Sequence, residues 1–170
     1  CNGLVKEGES CVSVLHTNEK EITLKYILRG EEKEFNFSVY EGGANYLSSK
    51  FNFIDYQGSE VPFRADFKLR KLNDEKQRDL LMPLVLKIQN FTKDKEEQAR
   101  IAISIVQNIP WGWADRTFKF GETEINYTRY PYDILYDNEG VCGEKSELLV
   151  FLLRELKYGV ALFYHSEENH

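Results

Sequence analysis

A cysteine opens an apolar helical stretch in NEGVCGEKSELLVFLLREL, residues 138–156. A thiol reacts as its thiolate, and a helix N-terminus favours negative charge through its free N–H groups and its dipole. Cys142 has Gly140 before it and Gly143 after it, residues that let a backbone turn sharply and be approached closely. The segment behind it is apolar almost all round from Leu148 to Leu153, so the helix of 143–157 is expected in a core, where it would hold the sulfur rigidly. The same features also fit a small, buried structural cysteine. A nucleophile needs a base, and only His16, His165 and His170 are on hand. His16 lies in a β-like region with no evident partner. His165 and His170 flank a turn after an apparent strand over 160–164, and such a strand could return a histidine to the start of the helix. Cysteine on a helix with histidine on a neighbouring strand is an acyl-transfer arrangement.

The elements around this pair follow from periodicity. Residues 1–70 read as β-rich. Ile22, Leu24, Tyr26 and Leu28 alternate with Thr23, Lys25 and Ile27, RGEEK turns the chain, and Phe35, Phe37 and Val39 alternate up to EGG, which predicts a hairpin with one buried face. Phe63, Ala65, Phe67 and Leu69 alternate in the same way, predicting another strand. After Lys71 the period becomes helical: Asn73 or Asp74 is a candidate N-cap, and Pro83 marks a kink or a new first turn. Asp94 with Glu97 forms a capping-box pattern, and Ala99, Ala102, Ile105, Val106 and Ile109 share one helical face before Pro110 ends it. Residues 111–140 are aromatic and irregular, the mark of a functional loop or a local hairpin.

Bulk properties bound the classes. The chain has 170 residues and a net charge of −6, with acids and bases interspersed, which argues against a nucleic-acid surface. No apolar run approaches the roughly 20 residues of a membrane span. Three cysteines (Cys1, Cys11, Cys142) are too few for a disulfide scaffold. Cys142, His165 and His170 lack the paired spacing of a zinc site, so no metal and no cofactor is expected. A chain beginning Cys-Asn-Gly is similar to a mature prokaryotic lipoprotein, which implies export and attachment to the membrane through a lipidated Cys1; a cloning boundary gives the same start. Glycosylation-type triplets at Asn36, Asn90 and Asn126 lend weak support to export.

Several segments, in order, resemble the core of the transglutaminase-like superfamily of cysteine enzymes, in prokaryotic and archaeal form. They are VQNIPW at 106–111, YPYDIL at 130–135, and Gly140-Val-Cys142-Gly-Glu144-Lys-Ser146, which fits the family's Gly-x-Cys-x-(Asp/Glu)-x-(Ser/Ala). The likeness covers about residues 73–170 and leaves 1–70 unexplained. It implies an α+β fold with a papain/transglutaminase-like core over 71–170, in which a central helix bearing the cysteine packs on antiparallel strands. In that pattern Cys142 matches the nucleophile and His170, in ENH, the histidine. Trp111, Gln107 and Trp113 are the oxyanion candidates beside the Cys142 N–H, and Glu144 serves the first turn by its charge. The family's third member, an acid on a strand beyond the histidine, has no counterpart before His170. The sequence therefore reads as a fragment lacking its last strands or as an incomplete enzyme, with Asp133, Asp137 and Glu168 as acids on hand. The implied activity is thiol-dependent acyl transfer or amide hydrolysis on a peptide or protein. The alternative is an inactive binding module of the same fold at a cell surface.

Overall fold

The computed structural model describes residues 5–7, 10–50, 64–120 and 123–163. The architecture is mixed α+β. Two short strands, β1 (Val5–Glu7) and β2 (Ser10–Val12), pair antiparallel, and a 3-10 turn over Val14–His16 leads to the long hairpin β3 (Glu19–Leu28) and β4 (Glu31–Tyr40). Helices α1 (Glu41–Lys50), α2 (Arg64–Leu72), α3 (Glu75–Phe91) and α4 (Lys95–Asn108) follow. A small hairpin, β5 (Thr117–Phe120) and β6 (Thr123–Asn126), precedes α5 (Pro131–Asp137) and α6 (Cys142–Glu155).

The long hairpin forms as its alternation predicts. Arg29 and Gly30 turn the chain with positive φ, and Glu19 pairs with Tyr40 through to Leu28 with Glu31. Its inward side chains Ile22, Leu24, Tyr26, Phe37 and Val39 join one hydrophobic core with Leu81, Leu84, Ile101, Ile105, Leu148 and Phe151 of the helices. The sheet leans chiefly on α4, and Ser104 on that helix accepts the Ile27 N–H at 2.9 Å. Helix α6 is enclosed mainly by α4, α5, α3 and α2, so the wall around the cysteine-bearing helix is helical among the described residues, where antiparallel strands were expected.

Other expectations need correction. Residues 64–72 are helical, not a strand. The alternation places Leu69 inward, yet Leu69 is exposed while Lys71 and Leu72 are buried, and Lys68 and Lys71 both reach Glu147 of α6, at 2.5 and 2.9 Å. A helical i, i+3 spacing permits that shared pairing. Strand β4 ends at Tyr40, directly before EGG as the alternation predicts, but EGG itself begins α1 instead of a loop. A Cβ on Gly42 would lie 2.0 Å from the Val14 carbonyl oxygen, so Gly42 is there for close packing of the helix on the 3-10 turn, while Gly43 packs on Leu80 and Tyr132. The apparent strand over 160–164 is irregular through residue 163, with Phe163 exposed. Within the β-rich region His16 lies in the 3-10 turn, and it has a partner after all, its ring edge-on to Tyr40.

The helix caps largely follow the sequence. Asp74 Oδ1 accepts the N–H groups of Lys76 and Gln77, and α3 runs unbroken through Pro83. The proline and Asp79, whose carbonyl loses its partner, both lie on the exposed face, where water can replace the bond. Asp94 accepts the Glu97 N–H, but the reciprocal half of the capping box is absent: Glu97 accepts the Arg29 N–H, and Thr92 Oγ1 accepts that of Asp94.

Candidate functional site

Asn138, in the left-handed conformation at φ 54°, ends α5 and redirects the chain toward α6. The turn is therefore made by an asparagine rather than by Gly140. Gly140 instead donates its N–H to the Pro110 carbonyl at 3.1 Å and packs on Ile134. Helix α6 starts at Cys142. Glu144, at its third position, accepts the Val141 N–H at 3.1 Å, while Val141 has no acceptor to return the bond.

Cys142 is exposed, although Glu144, Glu147, Leu148, Phe151 and Leu152 of the same helix are buried. The thiol lines a surface cleft of about 320 Å³ with Val106, Gln107, Trp111, Lys145, Ser146 and Leu149. Two of the three oxyanion candidates, Gln107 and Trp111, thus stand beside the cysteine. Trp113 does not line the cleft; it meets Trp111 edge to face with ring centroids 5.7 Å apart, and both rings are 63% exposed.

Lys145 was not singled out from sequence and Ser146 only as a motif match, yet residues three and four along a helix from Cys142 must share its face. Lys145 Nζ donates to the Ile109 carbonyl at 2.6 Å and so caps the end of α4, while Ser146 Oγ donates to the Cys142 carbonyl at 2.9 Å. Gly143 leaves open space at the second position of α6: a Cβ there would touch nothing within 4 Å. Gly143→Ala is expected to stabilise the fold by roughly 0.5 kcal/mol through helix propensity, read as a higher urea midpoint.

A buried polar network near the cleft is centred on Arg129, which sequence reading passed over. Its side chain is almost fully buried. Nε donates to Asp137 at 2.7 Å, Nη1 to the Gly112 carbonyl at 3.0 Å and to Glu144 at 3.3 Å, and Nη2 to the Trp113 carbonyl at 3.3 Å and to Glu139. Its own backbone N–H donates to Glu144 Oε1 at 2.8 Å. No periodic pattern announces such a residue; the signal available was an arginine in an aromatic stretch, followed closely by several acids.

Of the acids suggested as a third catalytic member, Asp137 is paired with Arg129. Asp133 is buried, accepts the Tyr127 hydroxyl and the Tyr130 N–H, and leaves Oδ1 without a partner among the described residues. Burial pushes its carboxyl up to about 7, although both hydrogen bonds pull the other way. Burial, and the negative charge of Asp133 beside it, likewise push the Tyr127 hydroxyl well above the usual tyrosine range. His165, His170, Glu168 and Cys1 lie outside the described residues. Among the described residues there is no cluster of metal-ligating side chains, and no helix is long and apolar enough to cross a membrane. Compared with known proteins, the chain matches no family model, no curated protein and no solved structure.

Proposed function

We propose that the chain is a transglutaminase-like cysteine enzyme that cleaves or exchanges an amide of a peptide or protein. One observation carries this reading: Cys142 is exposed on the first turn of a helix whose opposite face is buried, in a cleft it shares with Gln107 and Trp111. In the proposed reaction the Cys142 thiolate attacks the amide carbonyl carbon. The tetrahedral oxyanion is received by the Cys142 N–H, one of the first-turn N–H groups that a helix leaves unpaired, and by Gln107 or Trp111. The C–N bond then breaks, the nitrogen takes a proton from the His170 imidazolium, and a thioester remains. Water adds to the thioester, giving its proton to His170, and a carboxylate departs as the thiol is restored. An amine in place of water gives a new amide. Loss of the side-chain oxyanion donor is expected to raise the barrier by about 3 kcal/mol.

The test is alkylation. With Cys1 and Cys11 replaced by serine, Cys142 is the sole thiol. Iodoacetamide near neutral pH is expected to modify it about tenfold faster than free glutathione. The advantage should disappear in His170→Ala. A rate equal to that of glutathione would sink the nucleophile and leave the second reading, an inactive binding module. That alternative draws on the exposed Trp111–Trp113 pair beside the cleft, a surface suited to holding a ligand without chemistry.

A further inference from the structure

Arginine carries five N–H donors in a fixed planar fork. All five of Arg129 have acceptors, and these belong to three separate segments: the carbonyls of Gly112 and Trp113, the acids Asp137 and Glu139 around the end of α5, and Glu144 in the first turn of α6. Gly112 packs against the Glu139 carboxylate. A Cβ there would lie 2.4 Å from Glu139 Oε2 and 2.8 Å from its carboxyl carbon, so only glycine lets Glu139 reach across to the guanidinium without shifting. On the other side, the Arg129 N–H and side chain both hold Glu144, and Glu144 holds the N–H of Val141, the residue before Cys142.

We propose that Arg129 is the positioning residue of the Cys142 site: it locks the tryptophan-bearing wall of the cleft in register with the turn that presents the thiol. This rests on the reading of Cys142 as a nucleophile, but the link between wall and helix start is separable from it. A lysine at 129 would keep the charge and lose the fork. Its single ammonium cannot span Asp137, the two carbonyls and Glu144 together.

The chain's two tryptophans are Trp111 and Trp113, so tryptophan emission reports on this wall alone. In the full chain, Arg129→Lys is expected to shift that emission and raise its quenching by iodide. With Cys1 and Cys11 replaced by serine, it should also slow Cys142 alkylation about tenfold, while far-UV circular dichroism stays unchanged. Should Arg129→Lys lose its fold, Glu139→Gln serves instead. Glu139 is partly exposed, and losing its charge should loosen Nη2 and with it the Trp113 carbonyl, moving both readouts in the same directions by less. Unaltered emission, quenching and alkylation in a folded variant would overturn the proposal. Slow alkylation in the parent protein together with an emission change in the variant would refute the nucleophile and leave the positioning link standing.

Discussion

Arg129→Met is expected to destabilise the protein by about 3–5 kcal/mol, the range for removing one partner of a buried ion pair. Methionine fills a similar volume but offers no donors. Glu144, itself buried, would then keep its charge with only backbone N–H groups for company, and the Gly112 and Trp113 carbonyls would lose their donors as well. Glu139 and Asp137 contribute less, because both are partly open to water. A double-mutant cycle in urea measures the central contact. If the cost comes from an abandoned charge, Glu144→Gln should recover part of it in the Arg129→Met background, with a coupling on the order of 1–3 kcal/mol. Strict additivity of the two substitutions would mean that the guanidinium and Glu144 do not act on one another.

Asp133 sets the second large effect, and its sign is unusual for a carboxylate. Burial raises its folded-state value from 3.8 to about 7. The folded protein therefore binds this proton more tightly than the unfolded chain does. The contribution of Asp133 is most favourable below about pH 4, falls as pH rises through the interval to about 7, and is flat above that. At 1.36 kcal/mol per unit, the interval corresponds to a loss on the order of 4 kcal/mol. Asp133→Asn keeps an oxygen for the Tyr127 hydroxyl and the Tyr130 N–H while removing the ionisation. Urea unfolding of both proteins at pH 5 and pH 8 should show the parent losing stability relative to the variant as pH rises. Parallel behaviour across that window would mean that Asp133 is solvated in the folded state.

What the sequence makes legible divides along physical lines. The hairpin and the helices α3 and α4 are long and strongly periodic, and the two helices are capped by side chains that act locally, Asp74 and Asp94. Local chemistry of that kind is written in neighbouring residues. Helix α1 was missed because Gly42 and Gly43 are poor helix formers whose presence is explained only by Val14, Leu80 and Tyr132, residues far from them in sequence or joined to them by packing. Helix α2 was misread because alternating phenylalanines satisfied a strand period, whereas its lysines answer to Glu147 on another helix. The site followed the same rule. Cys142 stands out by its immediate neighbours, and Gln107 and Trp111 came from matching segments in order. Arg129 has no local signature, because every acceptor on its guanidinium lies on a loop or a helix turn that only the fold brings near.

The long hairpin has one further consequence. In its register the backbone groups of odd-numbered β3 residues and even-numbered β4 residues point away from the partner strand. On β3 the Ile27 N–H is taken by Ser104 Oγ, and on β4 the Asn36 carbonyl accepts from Lys87 Nζ at 2.7 Å. The Tyr40 N–H, also on β4, donates to Tyr132 Oη at 2.7 Å. Side chains from three helices thus stopper both rims of a two-stranded sheet. An incoming strand would have to evict them before it could pair along either rim, so the hairpin resists recruiting neighbouring molecules into a growing sheet.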